Sequence, residues 1–387
     1  MRMRKATSAL VGILLAGVAA TPAHAQTVRE RQWHLDAMKA DDMWKVSTGK
    51  GVTVAVIDSG VARIPELEGQ VLPGKDFATA YGNDERTDYD RHGTSMAAII
   101  AGSGKHPSGD GAYGLAPGAK ILPIRVPHEE NQLAPSWTAA IRYAADSEAK
   151  IINISMGMSE RDDPARADAV KYALSKGKLI FAAVGNDGKS TNDVKYPAAT
   201  PGIVGVGAVG PDGGAIEMSQ HGPQVDITAP GQDILAACTG KSGVCKTSGT
   251  SDATAIASAS AALLWSAHPE WTNNQVLRVL LNTAGKADDG KERNDYLGYG
   301  IVRPKVALPT PGDPGPADVF PLPDLAAADA KSSPAPSAAA KASESAAPQA
   351  DAKADGFSGT TWIALGLGAC VLVGGAVTAV VVRRRSG

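Results

Sequence analysis

Three short segments carry residue types that together could cleave an acyl bond. Asp58 ends an apolar run in V-I-D-S-G, His92 lies in H-G-T-S-M-A, and Ser251 lies in S-G-T-S-D-A. A serine hydroxyl becomes a good nucleophile only when a base accepts its proton, and imidazole has a suitable pKa near neutrality. A buried carboxylate then fixes the imidazole tautomer and stabilises its protonated form. The three residues therefore predict nucleophilic catalysis by a serine, a histidine and an aspartate.

A fourth segment offers a donor for the negative charge of a tetrahedral intermediate. Asn186 follows an apolar run in G-N-D-G, and a side-chain amide at this place can donate to an oxyanion. Gly249 permits a tight turn, after which a helix starting at Ser251 would direct backbone N–H groups at the same charge. Ser95 also stands in a G-T-S motif, but it follows His92 by only three residues, and we interpret it as an ordinary helix residue.

Apolar runs alternate with helical patterns along the middle of the chain. The runs cover 51–57, 119–126, 150–154, 178–184 and 202–209, and the helical patterns cover 95–101, 136–149, 165–176 and 253–267. Strands without polar alternation, separated by helices, are typical of a parallel sheet covered on both faces. In such α/β folds, sites form beyond the carboxyl ends of the strands, where Asp58 and Asn186 lie.

The two ends of the chain are predicted to be targeting segments. Residues 1–25 have a basic start, an apolar stretch and the small-residue pattern A-H-A, which is typical of a signal peptide. Residues 361–382 carry no charge and are long enough, at about 1.5 Å per residue, to cross about 30 Å of hydrocarbon. The three arginines in 383–387 predict a cytoplasmic C-terminus. We therefore expect one span in the cell membrane, with the folded part extracytoplasmic.

Composition separates the folded part from this predicted anchor. Ten prolines fall between Arg303 and Gly356, together with many Ala, Ser, Lys and Asp residues. Such a stretch buries too little apolar surface to offset its ordering entropy. Residues 304–360 are therefore predicted to be a disordered stalk, which leaves 26–50 as a short N-terminal extension and 51–303 as the folded domain.

Charge and cysteine content exclude several classes of protein. The 38 basic and 40 acidic residues nearly balance, which gives no electrostatic basis for nucleic-acid binding. Three cysteines are too few for a disulfide-dense miniprotein. Outside the cell, Cys238 and Cys245 are expected to close a loop as a disulfide, with two free thiols as the alternative.

The motifs together resemble those of the subtilisin family of serine endopeptidases. The resemblance runs from about Gln32 to Arg303, and the order Asp–His–Ser is that of the family. The matching segments are Q-W-H-L, G-K-G-V-T-V-A-V-I-D-S-G-V, H-G-T-S-M-A, G-L-A-P-G-A-K-I-L, N-I-S-M-G, A-A-V-G-N, Y-P-A, A-P-G and G-T-S. The resemblance implies a subtilisin-like α/β fold and cleavage of polypeptide substrates.

The same resemblance implies a role for each site residue. Asp58 would orient His92, the general base; Ser251 would be the nucleophile. Asn186 would lie in the oxyanion hole. Ser155, Met156 and Gly157 match the family strand that pairs with the substrate backbone.

The predicted segments follow one another in the order signal peptide, protease domain, proline-rich stalk, single anchor and basic tail. This order resembles that of the mycosins. These are membrane-bound subtilases associated with type VII secretion in actinobacteria. The resemblance implies type VII membrane components as partners. It also implies that residues 26–50 pack along the domain and do not form an inhibitor.

Two features depart from the family pattern or add to it. Ala255 stands where the family motif usually has proline, and Asp252 places a carboxylate beside the nucleophile. Asp252 would stabilise the helix start, raise the pKa of His92 or shape substrate choice.

An acidic cluster precedes His92 and comprises Asp84, Glu85, Asp88 and Asp90. Calcium there is conceivable, but the spacing of a dedicated calcium loop is absent, so we predict a solvated loop and no metal or cofactor.

A non-catalytic alternative follows from the predicted anchor. A degradative enzyme has no need to remain tethered, so the domain could instead be a structural or scaffolding subunit of a secretion complex, with catalysis secondary or absent.

Overall fold

The computed structural model describes residues 26–79, 84–127, 130–159 and 163–332. Within these ranges the helices are α1 (Trp33–Met38), α2 (Ala40–Met43), α3 (His92–Ala101), α4 (Glu130–Asp146), α5 (Pro164–Ser175), α6 (Thr250–Ala267), α7 (Asn273–Asn282), α8 (Pro304–Ala307) and α9 (Pro323–Ser332). The strands are β1 (Thr53–Asp58), β2 (Lys75–Asp76), β3 (Lys120–Arg125), β4 (Ile151–Ile154), β5 (Leu179–Ala183), β6 (Val204–Val209), β7 (Ile227–Pro230), β8 (Ile234–Ala237) and β9 (Val244–Thr247). The predicted signal peptide (1–25), membrane span (361–382) and basic tail (383–387) lie outside the described residues.

Seven of the described strands form one parallel sheet. Their order is β2-β3-β1-β4-β5-β6-β7, and β1 pairs with β3 on one side and β4 on the other. All six residues of β1 are buried. A strand covered on both faces has no solvated side, which explains its uninterrupted apolar run. The parallel α/β sheet predicted from the sequence is confirmed.

Helices cover both faces of this sheet. Val54 and Val56 of β1 pack in the core that includes α3 and α6, whereas Ala55 and Ile57 pack in the core that includes α4 and α5. This alternation follows from the two-residue period of a strand. Helix α6 lies against β4 to β7 and is buried from Thr250 to Trp265. Its many alanines and serines keep the side chains small, so that the helix fits against the sheet.

The N-terminal extension packs along the domain. Gln32 is fully buried and joins two distant segments, since its amide donates to the carbonyl oxygens of Tyr113 and Leu235. The Trp33 indole donates to the Gln232 carbonyl over 2.9 Å. The extension therefore contacts β8 and the residues just before it, and β8 is the first strand of an antiparallel hairpin with β9.

The ordered chain continues past residue 303, where the stalk was predicted to begin. Ala307, Leu308 and Leu322 are buried in the main core. The Arg278 guanidinium of α7 donates to three carbonyl groups of the following proline-rich segment, those of Pro314, Pro316 and Val319. Residues 304–332 thus form a strap on the domain, held by a few buried apolar side chains and by the backbone carbonyls that Arg278 binds.

The rest of the predicted stalk, 333–360, lies outside the described residues. Within the part of the chain that the structure describes, no helix combines the length and apolar character needed to cross a membrane.

Candidate active site

The fold brings together residues that are far apart in the sequence. Asp58 is the last residue of β1, His92 is the first residue of α3, and Ser251 is the second residue of α6. Asn186 follows β5 in the chain. His92, Asn186 and Ser251 line one cleft of about 330 Å³. The strand ends and helix starts thus meet at one edge of the sheet, as expected for an α/β fold.

Asp58 orients the imidazole of His92. Its Oδ1 lies 2.8 Å from His92 Nδ1, and its side chain is 1% exposed. The same oxygen accepts the Ser59 backbone N–H over 2.8 Å. Because the carboxylate favours a proton on Nδ1, Nε2 of neutral His92 is left as the basic nitrogen.

The electrostatics of the cleft favour a protonated His92. Burial acts to lower the pKa of His92, but the charge and hydrogen bond of Asp58 and the charges of Asp90 and Asp252 outweigh it and raise the pKa to about 9. The side chain is 33% exposed, which is consistent with carboxylates and not burial deciding the direction. The free protein therefore holds an imidazolium at neutral pH, which must lose its proton before it can act as a base.

Asp88 fixes the start of the helix that carries His92. Its carboxylate accepts the backbone N–H groups of Arg91 and Thr94, each over 2.8 Å. It also accepts the Ser59 hydroxyl over 2.8 Å, and Ser59 Oγ in turn accepts the Gly93 N–H over 2.9 Å. Asp88 thus caps α3 and ties it to the end of β1, a role that the sequence did not reveal.

The acidic residues before His92 do not converge on one point, because each binds a different backbone N–H group. Asp90 accepts the His92 N–H over 2.8 Å, and Glu85 accepts the Gly74 N–H over 3.2 Å. Among the described residues, no group of three or more His, Cys, Asp or Glu side chains is placed to hold a metal ion.

The hydroxyl of Ser251 points to the neighbouring strand. It donates to the Ser155 carbonyl over 2.8 Å, and it makes no hydrogen bond with His92 within the described chain. Catalytic hydrogen bonds are often loose in a protein without substrate. The nucleophile and the base therefore share a cleft, and the serine hydroxyl must turn to reach the imidazole.

Asn186 is held with its amide nitrogen free. Its Oδ1 accepts the backbone N–H of Thr250 over 2.9 Å and the Thr250 hydroxyl over 3.0 Å. This leaves Nδ2 as the end that can donate to a ligand. A Cβ on Gly249 would lie 3.1 Å from Nδ2, so glycine at this position leaves room for the amide. Sequence reasoning identified Asn186 but missed Thr250, whose place in the G-T-S motif was the available signal.

The predicted substrate strand lies beside the nucleophile. Ser155 is buried, and its hydroxyl accepts from the Asn153 amide over 3.0 Å and donates to the Ser251 carbonyl over 3.2 Å. Met156 is half-buried and Gly157 is exposed, just beyond the end of β4. None of Ser155, Met156 and Gly157 lines the cleft of His92 and Ser251. Ser155 contacts the nucleophile through its hydrogen bonds with Ser251.

The two remaining predicted features line the same cleft as His92 and Ser251. Cys238 and Cys245 form a disulfide between β8 and β9, and both cysteines line the cleft. Asp252 also lines it, is 2% exposed and accepts the Thr247 hydroxyl over 2.6 Å. Burial raises the pKa of Asp252 to about 6, although the Thr247 hydrogen bond and the charge of His92 oppose that shift.

Several known proteins are similar to this chain in sequence and in fold. The profile of the subtilase family matches residues 49–300, a range that includes Asp58, His92, Asn186 and Ser251. Mycosin-1 of Mycobacterium tuberculosis is 32% identical over 341 residues, which are 74% of this chain and 74% of that protein.

Two solved structures are similar to this chain in fold. The crystal structure of MycP1 from Mycobacterium smegmatis has a TM-score of 0.65 and 29% identity, over 77% of this chain and 89% of that one. A chain in the periplasmic assembly from the ESX-5 inner membrane complex has a TM-score of 0.64 and 26% identity, over 87% and 92% of the two chains. The chain therefore belongs to the subtilase family of serine endopeptidases and, within it, resembles the mycosins.

Proposed function

We propose that this protein is a membrane-anchored, extracytoplasmic endopeptidase that serves a type VII secretion system. One observation carries the catalytic part of the proposal: Asp58 is hydrogen-bonded to His92, and His92 shares its cleft with Ser251 and Asn186. The likeness to mycosins supports the role in secretion.

Acylation begins when Ser251 Oγ attacks the carbonyl carbon of the scissile peptide bond. His92 Nε2 accepts the hydroxyl proton, and Asp58 stabilises the imidazolium that results. Asn186 Nδ2 and the Ser251 N–H, which lies in the first turn of α6, donate to the oxyanion. Acylation ends when His92 gives its proton to the leaving amine, and an ester to Ser251 remains.

Deacylation repeats these steps with water as the nucleophile. His92 now takes a proton from water, the tetrahedral intermediate forms at the same donors, and its collapse returns the proton to Ser251 Oγ. No step uses a metal or cofactor, because the base, the nucleophile and the oxyanion donors all come from the chain.

The natural substrate is a polypeptide exported by the secretion system or a component of it. The predicted span at 361–382 would hold the domain at the outer face of the cell membrane, where membrane components of the system are accessible. The likeness to a chain of the ESX-5 periplasmic assembly supports such a partner.

A fluorophosphonate probe tests the catalytic proposal. The full-length chain in detergent should be labelled above pH 8, where His92 begins to lose its proton, and Ser251→Ala should abolish labelling. Ser95→Ala is the matched control, because Ser95 also lines the cleft and its buried hydroxyl has no hydrogen-bond partner in the part of the chain that the structure describes. Absence of labelling in a folded wild-type chain, or labelling that survives in Ser251→Ala, contradicts the proposed nucleophile.

The second candidate function is a scaffolding subunit, which the likeness to a chain of a periplasmic assembly favours. Ser251→Ala separates the two functions in cells. If cleavage is the main role, secretion should fail both in Ser251→Ala and when the whole gene is deleted. Secretion that persists in Ser251→Ala but fails on deletion would assign the main role to the scaffold.

A further inference from the structure

Asp252 is a buried carboxylate. Burial raises its pKa and the charge of His92 opposes that rise, but that charge is absent when the imidazole is neutral. Its side chain is 2% exposed, Oδ1 accepts the Thr247 hydroxyl, and no Lys or Arg of the described residues forms an ion pair with it. A buried charge without a partner is costly. A helix start needs no such burial to benefit from an acidic residue, so stabilisation of α6 does not account for where the carboxylate lies.

The position of Asp252 in the cleft indicates which side of the scissile bond its carboxylate would face. In acylation, His92 gives its proton to the leaving amine, so the residue after the cut must lie on the His92 side of Ser251. Asp252 lines the same cleft as His92, whereas Met156 and Gly157, the predicted strand for the acyl side, do not.

We propose that Asp252 selects a lysine or arginine as the first residue after the scissile bond. The inference rests on the proposed peptidase function and adds a specificity to it. The incoming ammonium or guanidinium group supplies the cation that the buried carboxylate lacks.

The walls of the cleft suit the stem of such a side chain. Met96 and the Cys238–Cys245 disulfide line the cleft together with Asp252, and Met96 and Cys238 are almost fully buried. Lysine and arginine carry a long apolar stem and a charged end. Sulfur-lined walls with a carboxylate beside them therefore match both parts of the side chain.

The other charged groups of the cleft are Asp90, Arg91 and His92. Asp90 adds negative charge, and exposed Arg91 forms no ion pair with Asp252. His92 carries its charge when protonated but is neutral in the form that attacks substrate. The catalytically competent cleft thus presents the Asp252 carboxylate to the substrate.

Matched peptides measure this specificity. Sites cut by the full-length chain are first identified by mass spectrometry in a proteome-derived peptide library. Fluorogenic peptides based on one site are then compared with lysine or norleucine after the cut, since norleucine keeps the stem without the charge. For the wild-type chain, kcat/KM for the lysine peptide should exceed that for the norleucine peptide on the order of tenfold.

Asp252→Asn tests which residue is responsible. Asparagine retains an oxygen to accept the Thr247 hydroxyl, but it has no charge, so the ratio of the two kcat/KM values should fall to about one. Asp90→Asn is the matched control, because it removes the same charge elsewhere in the cleft and should leave the preference for lysine in place. Fluorophosphonate labelling of Ser251 reports whether each variant keeps a competent site.

A pH series on the wild-type chain tests the same charge without a variant. The pKa of Asp252 is about 6, so the ratio should fall toward one as the pH is lowered through 6. Protonation of His92 lowers kcat/KM for both peptides equally and cancels in the ratio.

Four results would overturn the proposal. A wild-type ratio near one, a ratio that survives in Asp252→Asn, or a ratio constant between pH 5 and 8 each removes Asp252 as the selector while peptide cleavage still stands. Absence of both cleavage and labelling in the wild-type chain would overturn the peptidase function together with the specificity.

Discussion

Ser251 and Ser155 are joined by two reciprocal hydrogen bonds. The Ser251 hydroxyl donates to the Ser155 carbonyl over 2.8 Å, and the Ser155 hydroxyl donates to the Ser251 carbonyl over 3.2 Å. The Ser155 hydroxyl also accepts from the buried amide of Asn153, whose oxygen accepts the Ser258 hydroxyl. A buried polar chain thus fixes the start of α6 against β4.

Ser155→Ala should weaken this junction. The substitution leaves the Asn153 amide N–H groups and the Ser251 carbonyl without the Ser155 hydroxyl, and an unsatisfied buried group costs about 1–3 kcal/mol. We expect a lower melting temperature, measured by tryptophan fluorescence, and a several-fold lower kcat/KM. Ser260→Ala is the control, because the Ser260 hydroxyl bonds only the Ile256 carbonyl of its own helix and its loss should change stability little. Equal melting temperatures for the two variants would contradict the structural role of Ser155.

The pH dependence of cleavage should report the raised pKa of His92. Only neutral imidazole accepts the serine proton, so kcat/KM should rise with pH to a midpoint near 9. Asp252→Asn removes a negative charge that favours the imidazolium, so the midpoint should move to lower pH. Asp288→Asn, at an exposed position outside the cleft, should leave the midpoint unchanged. A wild-type midpoint near 6.5, the ordinary value for histidine, would show that the carboxylates of the cleft do not control His92.

The long elements of the fold could be predicted because their patterns are strong. The apolar run at 51–57 corresponds to β1 and the helical pattern at 253–267 to most of α6. The two-residue strand β2 is too short for a pattern, and the four-residue strand β7 was missed although β4, of the same length, was predicted from the run at 150–154. Helix α7 was missed although Thr272 and Gln275 form a capping box at its start, which is a recognisable sequence signal.

The residues of the site could be predicted by type, but their supporting contacts could not. Asp58, His92, Asn186 and Ser251 follow from the chemistry that each side chain performs. The capping role of Asp88 depends on backbone N–H groups, which motifs do not reveal, whereas the orienting role of Thr250 was missed although Thr250 stands in the G-T-S motif. In the same way, the composition from residue 304 predicted a stalk, because composition contains no information on hydrogen bonds to backbone carbonyl groups such as those that Arg278 makes.

Asn186→Ala should lower kcat much more than it changes KM. The amide donates to charge that develops only in the transition state, and loss of the corresponding donor in a subtilisin costs about 10²–10³-fold in kcat. Thr250→Val is a milder variant for comparison. It removes the hydroxyl that binds the Asn186 oxygen, but the Thr250 N–H still donates to that oxygen, so kcat should fall less than in Asn186→Ala. Steady-state kinetics with one fluorogenic peptide measure both. A rise in KM with kcat unchanged would assign Asn186 to ground-state binding.

His34 should make the domain sensitive to acid. It is 1% exposed, and neither ring nitrogen has a hydrogen-bond partner among the described residues. Burial, assisted by the charge of Arg29, lowers its pKa to about 3. Because the unfolded chain takes up the proton near pH 6.5 and the folded chain does not, stability is full above pH 6.5 and falls as the pH drops toward 3, by about 1.4 kcal/mol per pH unit.

His34→Leu should remove this loss. The substitution breaks no hydrogen bond of the imidazole, so the melting temperature at pH 7.5 should stay the same or rise, and the drop between pH 7.5 and pH 4.5 should become smaller than in the wild-type chain. His106→Gln is the control, because His106 lies in a loop only partly shielded from solvent and should leave the drop unchanged. An equal drop in His34→Leu and in the wild-type chain would show that His34 does not cause the acid sensitivity.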